Sequence, residues 1–228
     1  MPFKLTPIVE GPGEERALPI LLRRLLLEKF GLNPADIQIL PPKNARGCGQ
    51  LTNADPKAGI ERYVRHAIKE QCDCVLVLID NDPAKRLKRD RVIQDDCAPE
   101  FAHYLVQRLR NIYCAKPVVV VVARWEYEAW FLANLERIGS LVGIAEGVVF
   151  EGDVESVGSP KGWIARRLPP GRSYSPTVDQ PALTRVLDLD VVAQRSRSFR
   201  RLQHALEELI EATLQNQPLV TPLPQEVP

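Results

Sequence analysis

The sequence predicts an α/β fold in which a four-stranded, mainly parallel sheet is flanked by helices. Apolar runs of strand length alternate with stretches whose apolar residues recur at helical spacing, a pattern typical of parallel sheets with helices on both faces. The expected strands lie at residues 3–9, 36–40, 74–79 and 117–123. The third strand is apolar throughout, as expected of a strand that is covered on both sides. The architecture is therefore expected to be Rossmann-like.

A helix is expected after each strand. Leucines at helical spacing predict the first helix over about 14–30, and Pro19 inside it is tolerable only in the first turn or at a bend. Further helices are expected at about 56–71, 99–113, 126–136, 180–187 and 198–214. Because the alternation stops near residue 139, we predict a first domain over 1–138, a mostly helical C-terminal extension packed on it over 139–215, and a flexible tail over 216–228.

The composition is that of an ordinary soluble globular protein. The 228 residues are 45% hydrophobic and 26% charged, and no apolar run approaches the length of a membrane span. No export signal is visible at the start of the sequence, so we expect a cytoplasmic protein without a membrane partner. The net charge of +1 gives no general attraction to nucleic acid, although it leaves room for local basic patches.

Acidic residues follow three of the expected strands, at the point where each strand ends. The pairs are Glu10 and Glu14, Asp80 and Asp82, and Glu126 and Glu128. The carboxyl ends of parallel strands line one edge of a sheet, where ligands bind, so these side chains are expected to converge. Two like charges about 4 Å apart repel by on the order of 4 kcal/mol at an effective dielectric of about 20. Because oxygen ligands suit hard cations, we predict a Mg²⁺ or Mn²⁺ site for phosphate chemistry.

Each acidic pair also has a purely structural explanation. Glu14 suits the positive end of a helix, the Asp80–Asp82 segment suits a turn, and one glutamate of the third pair suits a helix cap. None of these explains Glu10. The coincidence at three strand ends favours a site in which Glu10, Asp80 and Asp82 bridge two metal ions, which would activate water and stabilise the leaving oxygen of a phosphodiester.

Basic residues stand directly after the second acidic pair. This basic cluster comprises Lys85, Arg86, Lys88, Arg89 and Arg91, and a further basic group near the C-terminus includes Arg197 and Arg200. A charge run is usually a solvated face, but cations beside carboxylates also suit phosphate contacts, which supply most non-specific nucleic-acid affinity. Aromatic residues make up only 6% of the chain, so contacts to the nucleic-acid backbone are expected rather than stacked bases. We expect DNA, rather than RNA, as the partner.

Several segments resemble the Toprim domain, which topoisomerases, primases and OLD-family (overcoming-lysogenization-defect) nucleases share. The chain has an EGxxE element after the first strand, a DxD after the third and a glutamate after the fourth. It is similar to a bacterial Toprim-like family of unknown function, often encoded beside ATPases or in phage-defence loci. The similarity lies in the segments IVEGPGEERALPILLRRLL, VLVLIDNDPA, VVVVARWEYEAWFLA, SPKGW and YSPTVDQPALTRVLDLDVVAQRSRSFRRL.

The resemblance implies a Toprim-like metal-binding domain over 1–138 and a role for each matching residue. Glu10 would be the Toprim glutamate, and Glu14 the second glutamate that OLD nucleases carry four residues later. Asp80 and Asp82 would be metal ligands, and Glu126 or Glu128 would match the glutamate after the next strand. Lys161 would be the lysine that neutralises the transition state. The implied catalytic set is Glu10, Asp80, Asp82 and Lys161.

Two classes of function therefore stay open. The first is a Mg²⁺- or Mn²⁺-dependent nuclease with a two-metal mechanism, acting as an anti-phage effector with an ATPase partner. The second is a non-catalytic Toprim-like module that binds nucleic acid or nucleotide and regulates an ATPase partner. A phosphatase or nucleotidyl transferase would use the same metals on smaller substrates. No tyrosine stands where the topoisomerase nucleophile would be, so strand passage is not expected.

Overall fold

A computed structural model describes residues 2–81, 97–112 and 115–222, and its fold is α/β with a parallel sheet flanked by helices. The strands are β1 (Phe3–Val9), β2 (Ile37–Ile39), β3 (Lys43–Asn44), β4 (Cys74–Asn81), β5 (Val118–Arg124) and β6 (Val220–Thr221). The helices are α1 (Pro12–Glu28), α2 (Cys48–Leu51), α3 (Ile60–Lys69), α4 (Ala98–Arg110), α5 (Ala129–Ala133), α6 (Leu135–Ile138), α7 (Pro160–Ala165), α8 (Pro176–Val186), α9 (Leu189–Arg195) and α10 (Arg197–Leu214). Short 3₁₀ turns lie at Pro34–Asp36, Gly139–Val142 and Val154–Ser156. The expected α/β class is confirmed.

In the described part of the chain the sheet has six strands rather than the expected four. Its order is β2-β1-β4-β5-β6, with β3 also paired to β1, and every strand pairing within the described residues is parallel. The four longer strands are the predicted ones. The two additional strands, β3 and β6, contain only two residues each, which is too short for any hydrophobic period to show in a sequence.

Within the segment 216–228 that was expected to be a flexible tail, residues 220–221 return to the sheet as β6, and residues 223–228 lie outside the described residues. Val220 pairs with Val118, and Thr221 is almost completely buried. Arg110 Nη2 donates to the carbonyl of Val220 at 3.0 Å, and Arg201 Nη2 donates to Thr221 Oγ1 at 3.1 Å. Side-chain donors from two helices therefore hold β6. Arg110 lies 110 residues from Val220 in the sequence, and Arg201 lies 20 residues from Thr221. Such long-range contacts leave no local signal in the tail itself.

Alternate residues of the strands face two separate cores. Val119 and Val121 of β5 lie in one core with α1 and the C-terminal helices, whereas Val118, Val120 and Val122 lie in the other, with α3 and α4. This alternation is the two-residue period of a strand that is covered on both faces. The first core contains residues from both the predicted first domain and the predicted extension, so these two parts of the chain pack on one another.

Helix α1 keeps its buried leucine face despite Pro19. The helix begins at Pro12, so Pro19 lies in its interior rather than in its first turn. Leu18, Leu21 and Leu22 on either side of it are fully buried, and their packing offsets the helical hydrogen bond that a proline cannot donate.

The helix expected over 126–136 is divided at Asn134. Asn134 ends α5 with a non-helical backbone, and its side-chain oxygen accepts from the backbone N–H of Asp188 at 2.9 Å. Two short helices of the extension, α7 and α9, were not predicted; Ser159 and Asp188 cap their N-termini.

Within the described part of the chain, no helix combines the length and the apolarity that crossing a lipid bilayer requires.

One buried ion pair holds the helices of the second core together. Arg108 of α4 donates to both carboxylate oxygens of Glu61 on α3, at 2.9 and 2.6 Å, and also to the carbonyls of Thr52 and Asn53. The side chains of Arg108 and Glu61 are only 11% and 4% exposed. Removing one partner therefore leaves an uncompensated buried charge.

We expect Arg108→Met to lower the free energy of unfolding by about 3 kcal/mol, because Glu61 keeps its charge without a donor. Urea unfolding followed by circular dichroism measures the change. Arg62→Met, at an exposed position on α3, is the matched control and should change the free energy of unfolding by less than about 0.5 kcal/mol. Equal effects of the two substitutions would contradict the role given to the buried pair.

Candidate functional site

The ends of three neighbouring strands bring acidic residues to one edge of the sheet. β4 lies between β1 and β5, and all three run in parallel, with Val9 beside Leu78 and Asp80 beside Ala123. Glu10 directly follows β1, Asp80 is the penultimate residue of β4, and Glu126 lies two residues beyond β5. Their exposed fractions are 7%, 5% and 9%. The parallel pairing therefore places the three predicted residues at the same edge, largely shielded from solvent.

A cavity of about 640 Å³ opens at this edge. Among the described residues, four carboxylates and two cationic side chains line it: Glu10, Glu14, Glu15, Asp80, Arg46 and Lys161. The backbone of Gly11–Gly13 forms part of its wall, at the start of α1. Among the described residues, the charged side chains of the lining therefore give the cavity a net negative charge.

The turn from β1 into α1 presents Glu10 and Glu14 to the cavity. Gly11 precedes the helix with an extended backbone, and Pro12 occupies the first helical position, where its fixed φ is favourable and no N–H is needed. The carbonyl of Glu10 accepts from the backbone N–H of Gly47 at 2.8 Å, which ties the strand end to the opposite wall. Glu14 lies in the first turn, near the positive end of the helix dipole.

Asp80 links the end of β4 to the turn after β5. Its Oδ1 accepts from the backbone N–H of Tyr127 at 3.0 Å. Trp125, which begins this turn, has a φ of 64°, in the left-handed region that a bulky residue rarely adopts. Trp125 Nε1 donates to the carbonyl of Glu155 at 2.9 Å and so anchors the turn from the other side. The reversal at Trp125 directs Glu126 and Glu128 back toward the sheet edge.

Lys161 reaches this acidic turn from α7. Its backbone N–H donates to Glu126 Oε2 at 2.9 Å, and its Nζ lies 3.4 Å from Glu126 Oε1 and 3.6 Å from Glu128 Oε1. Lys161 also lines the cavity beside Glu10 and Asp80. The fold therefore brings Lys161 close to acidic residues that are distant in the sequence. Glu126 lies 35 residues before it, and Glu10 and Asp80 lie roughly 80 or more residues before it.

Glu128 lies behind the cavity wall and is completely buried. Burial raises the pKa of its carboxyl group to about 7, although the charge of Lys161 and the amide of Gln180 lower it. Tyr174 lies beside it, and the pKa of the Tyr174 hydroxyl is raised by burial and by the negative charge of Glu128. Within the part of the chain that the structure describes, Glu128 Oε2 has no hydrogen-bond donor.

Gln180 of α8, which was not among the predicted site residues, connects two of the acidic residues. Its Nε2 donates to Glu14 Oε1 and to Glu128 Oε1, both at 2.9 Å. A signal was present in the sequence: Gln180 shares helical spacing with Leu183 and Leu187, so it falls on the apolar face of its helix. A polar residue at such a position needs a buried partner.

The lining of the cavity has the donor chemistry that a hard cation prefers. Glu10, Glu14 and Asp80 offer carboxylate oxygens, the ligands of Mg²⁺ and Mn²⁺. Among residues 2–81, 97–112 and 115–222, however, no three His, Cys, Asp or Glu side chains lie close enough together to form a metal-binding group. Asp82, a predicted ligand, lies outside the described residues. Glu126 and Glu128, also predicted as ligands, contact Lys161.

The predicted nucleic-acid contacts are only partly described. Lys85, Arg86, Lys88, Arg89 and Arg91 lie outside the described residues. Arg197 pairs with Asp153 and Glu155 and lines a separate cavity of about 580 Å³. Arg200 donates to the carbonyls of Ala193 and Gln194 at the end of α9. Neither arginine lines the carboxylate cavity.

A family model described as "Domain of unknown function (DUF4276)" matches residues 9–207. Since the match covers most of the 228 residues, the chain belongs to this family. The matched region includes all the predicted site residues, from Glu10 to Arg200. No curated protein and no solved structure matches the chain. The resemblance to Toprim proteins stays a prediction.

Gly13→Ala should destabilise the protein, even though alanine is normally better in a helix by about 1 kcal/mol. A Cβ at Gly13 would lie 2.1 Å from Gln180 Oε1 and 2.9 Å from Pro176 Cβ. Because this overpacks the α1–α8 contact, we expect the free energy of unfolding to fall by about 1–3 kcal/mol in urea titrations. Gly49→Ala, where a Cβ would meet nothing within 4 Å, is the control. A stabilising effect of Gly13→Ala would show that the contact is looser than described.

The raised pKa of Glu128 predicts a pH-dependent stability. Its ordinary pKa is 4.5 and its folded value is about 7, so between these pH values the folded protein keeps a proton that the unfolded chain has released. Stability should therefore fall as the pH rises through this window. Glu128→Gln removes the titrating carboxyl group. The difference between the unfolding free energies of Glu128→Gln and wild type should therefore rise by roughly 3 kcal/mol from pH 4.5 to about pH 7 and then level off.

Urea unfolding in EDTA-containing buffers from pH 4.5 to pH 8 measures this difference. If the free energy of unfolding of Glu128→Gln relative to wild type did not change over this pH range, Glu128 would titrate normally and its burial would not raise its pKa.

Proposed function

We propose that this member of the DUF4276 family is a Toprim-like nuclease that uses Mg²⁺ or Mn²⁺ to hydrolyse phosphodiester bonds of nucleic acid in the cytoplasm. One observation carries the proposal: Glu10, Glu14 and Asp80 line a single cavity together with Lys161, at the carboxyl edge of a parallel sheet. This edge is where α/β proteins of this architecture bind their ligands.

The carboxylates of the cavity are the residues that would hold the cation. Glu10 and Asp80 come from adjacent strands, and Glu14 comes from the first turn of α1. When bound, a divalent cation of this kind polarises a phosphate oxygen and lowers the pKa of a water molecule. The carboxylates would contribute negative charge that is fixed in place by the sheet and by the Asp80–Tyr127 hydrogen bond.

Lys161 supplies the positive charge that a phosphodiester needs in such a site. Its side chain lines the cavity and is 32% exposed, and its ammonium group lies 3.4 Å from a carboxylate oxygen of Glu126 and 3.6 Å from one of Glu128. A preorganised cation stabilises charge that develops on a phosphate oxygen without having to reorient during the reaction. Residues of the first turn of α1 line the same cavity, and the positive end of the helix dipole adds a favourable field for an anion.

The same contacts also favour a second candidate, a non-catalytic module that binds nucleic acid or nucleotide and regulates an ATPase partner. Lys161 and Gln180 offset the charges of Glu14, Glu126 and Glu128 within the protein. A site that is neutralised from within could bind a ligand without performing chemistry on it.

Incubation of the protein with supercoiled plasmid DNA and Mg²⁺ or Mn²⁺ distinguishes the two candidate functions, because only a nuclease should cleave the DNA. For a nuclease we expect nicking that EDTA abolishes and that Asp80→Asn and Glu10→Gln each reduce by at least about 100-fold, because direct ligands should matter no less than outer-shell groups. Glu136→Gln, an exposed glutamate outside the cavity, should cleave at the wild-type rate. DNA binding without cleavage would favour the regulatory module. Cleavage that survives Asp80→Asn and Glu10→Gln would contradict the assigned site.

A further inference from the structure

The side chain of Gln180 lies where the edge of the sheet meets the C-terminal extension. It is fully buried, and its amide nitrogen donates one hydrogen bond to Glu14 on α1 and another to Glu128 in the turn after β5, both at 2.9 Å. A primary amide carries two N–H groups, so both donors of Gln180 are engaged by carboxylates. The two carboxylates belong to different elements, which this one side chain connects.

The two glutamates stand on opposite sides of the amide and have different neighbours. Glu14 lines the cavity, whereas Glu128 Oε1 lies 3.6 Å from Lys161 Nζ. Lys161 in turn lines the cavity. A displacement of Gln180 would therefore affect the cavity in two ways. It would release Glu14, a candidate metal ligand, and it would release Glu128, which contacts the ammonium group of Lys161.

Contacts made by other residues hold the backbone around Gln180 in place, independently of the Gln180 side chain. The adjacent Asp179 accepts from the backbone N–H of Ser175 at 2.7 Å and from Arg172 Nη2 at 2.6 Å, which closes the first turn of α8. Near the other end of α8, Arg24 of α1 donates to the carbonyls of Thr184 and Leu187 at 3.0 and 2.6 Å. Helix α8 is thus closed at its first turn by Asp179 and attached to α1 near its other end by Arg24.

The orientation of the amide is set by charge and by space. Turning it over would place Oε1 of Gln180 against two carboxylate oxygens, so the hydrogen bonds fix which atom faces them. In the observed orientation Oε1 points toward Gly13, where a Cβ would lie only 2.1 Å away. Gly13 therefore provides the room that this orientation requires.

We propose that Gln180 is a positioning residue of the candidate site, which holds Glu14 at the cavity and Glu128 against Lys161 through one amide. This role rests on the proposed function, because the arranged carboxylates would serve to hold a divalent cation. Groups behind the ligands of metal sites commonly orient them, and their removal weakens metal affinity about 10- to 100-fold.

The test compares Mn²⁺ affinity and thermal stability in the full chain. Gln180→Met keeps an unbranched side chain of similar length but removes both N–H donors, and Gly13→Ala displaces the amide without altering Gln180. We expect each to weaken Mn²⁺ binding roughly tenfold or more, measured by titration calorimetry and by the electron paramagnetic resonance of free Mn²⁺. Thr184→Val is the matched control: it removes a buried hydrogen bond to Tyr127 from the same helix but touches no carboxylate. It should lower Tm without changing Mn²⁺ affinity.

Wild-type affinity in both Gln180→Met and Gly13→Ala would overturn the proposal, as would an equal loss of affinity in Thr184→Val. If the wild-type chain itself binds no Mn²⁺, the proposed function fails, and a crystal structure of Gln180→Met then decides the positioning role. Side chains of Glu14 and Glu128 that move away from their wild-type positions would support that role, and unchanged positions would overturn it. Should Gln180→Met not fold, Gly13→Ala carries the same comparison.

Discussion

Repulsion among carboxylates at one edge of the sheet is the constraint on which the rest of this site depends. The parallel pairing of β1, β4 and β5 brings Glu10, Asp80 and Glu126 to that edge. Such charges raise the free energy of the folded state unless cations or hydrogen-bond donors accompany them. Among the described residues, Lys161 and Gln180 provide a cation and a donor, and both belong to the C-terminal extension. The extension is therefore a structural part of the site.

Close packing of backbone against polar side chains makes this arrangement specific. Asp80 accepts a hydrogen bond from a backbone N–H in the turn after β5, and that turn begins at Trp125, whose backbone is left-handed. Gly13 leaves space for the Gln180 amide between α1 and α8. Each of these contacts joins segments that are distant in the sequence, so the site forms only when the sheet and the extension are both folded. Its geometry and the stability of the α1–α8 contact are physically coupled.

Hydrophobic patterning was sufficient to predict the four longer strands and the longer helices, because β1, β4 and β5 are apolar runs and α1 carries leucines at helical spacing. It was insufficient for β3 and β6, which depend on pairing with distant strands. The acidic pairs after the strands were recognisable because strand order in a parallel sheet puts strand ends at one edge. Gln180 was not recognisable as a partner of Glu14, since it lies 166 residues away and only the tertiary fold brings the two together. Glu128 was predicted as a ligand from the same motif as Glu126, and only the fold reveals that it is buried behind the cavity.

Carboxylates from adjacent strand ends are expected to hold a divalent cation in this cavity. Anomalous diffraction at the manganese edge, from crystals grown with MnCl₂, measures this directly, because it locates the ion independently of any activity. We expect an anomalous peak in the cavity with oxygens of both Glu10 and Asp80 within roughly 2.5 Å of the ion. Well-ordered crystals in which the cavity shows no such peak, with Glu10 and Asp80 oxygens contacting only protein or water, would contradict it.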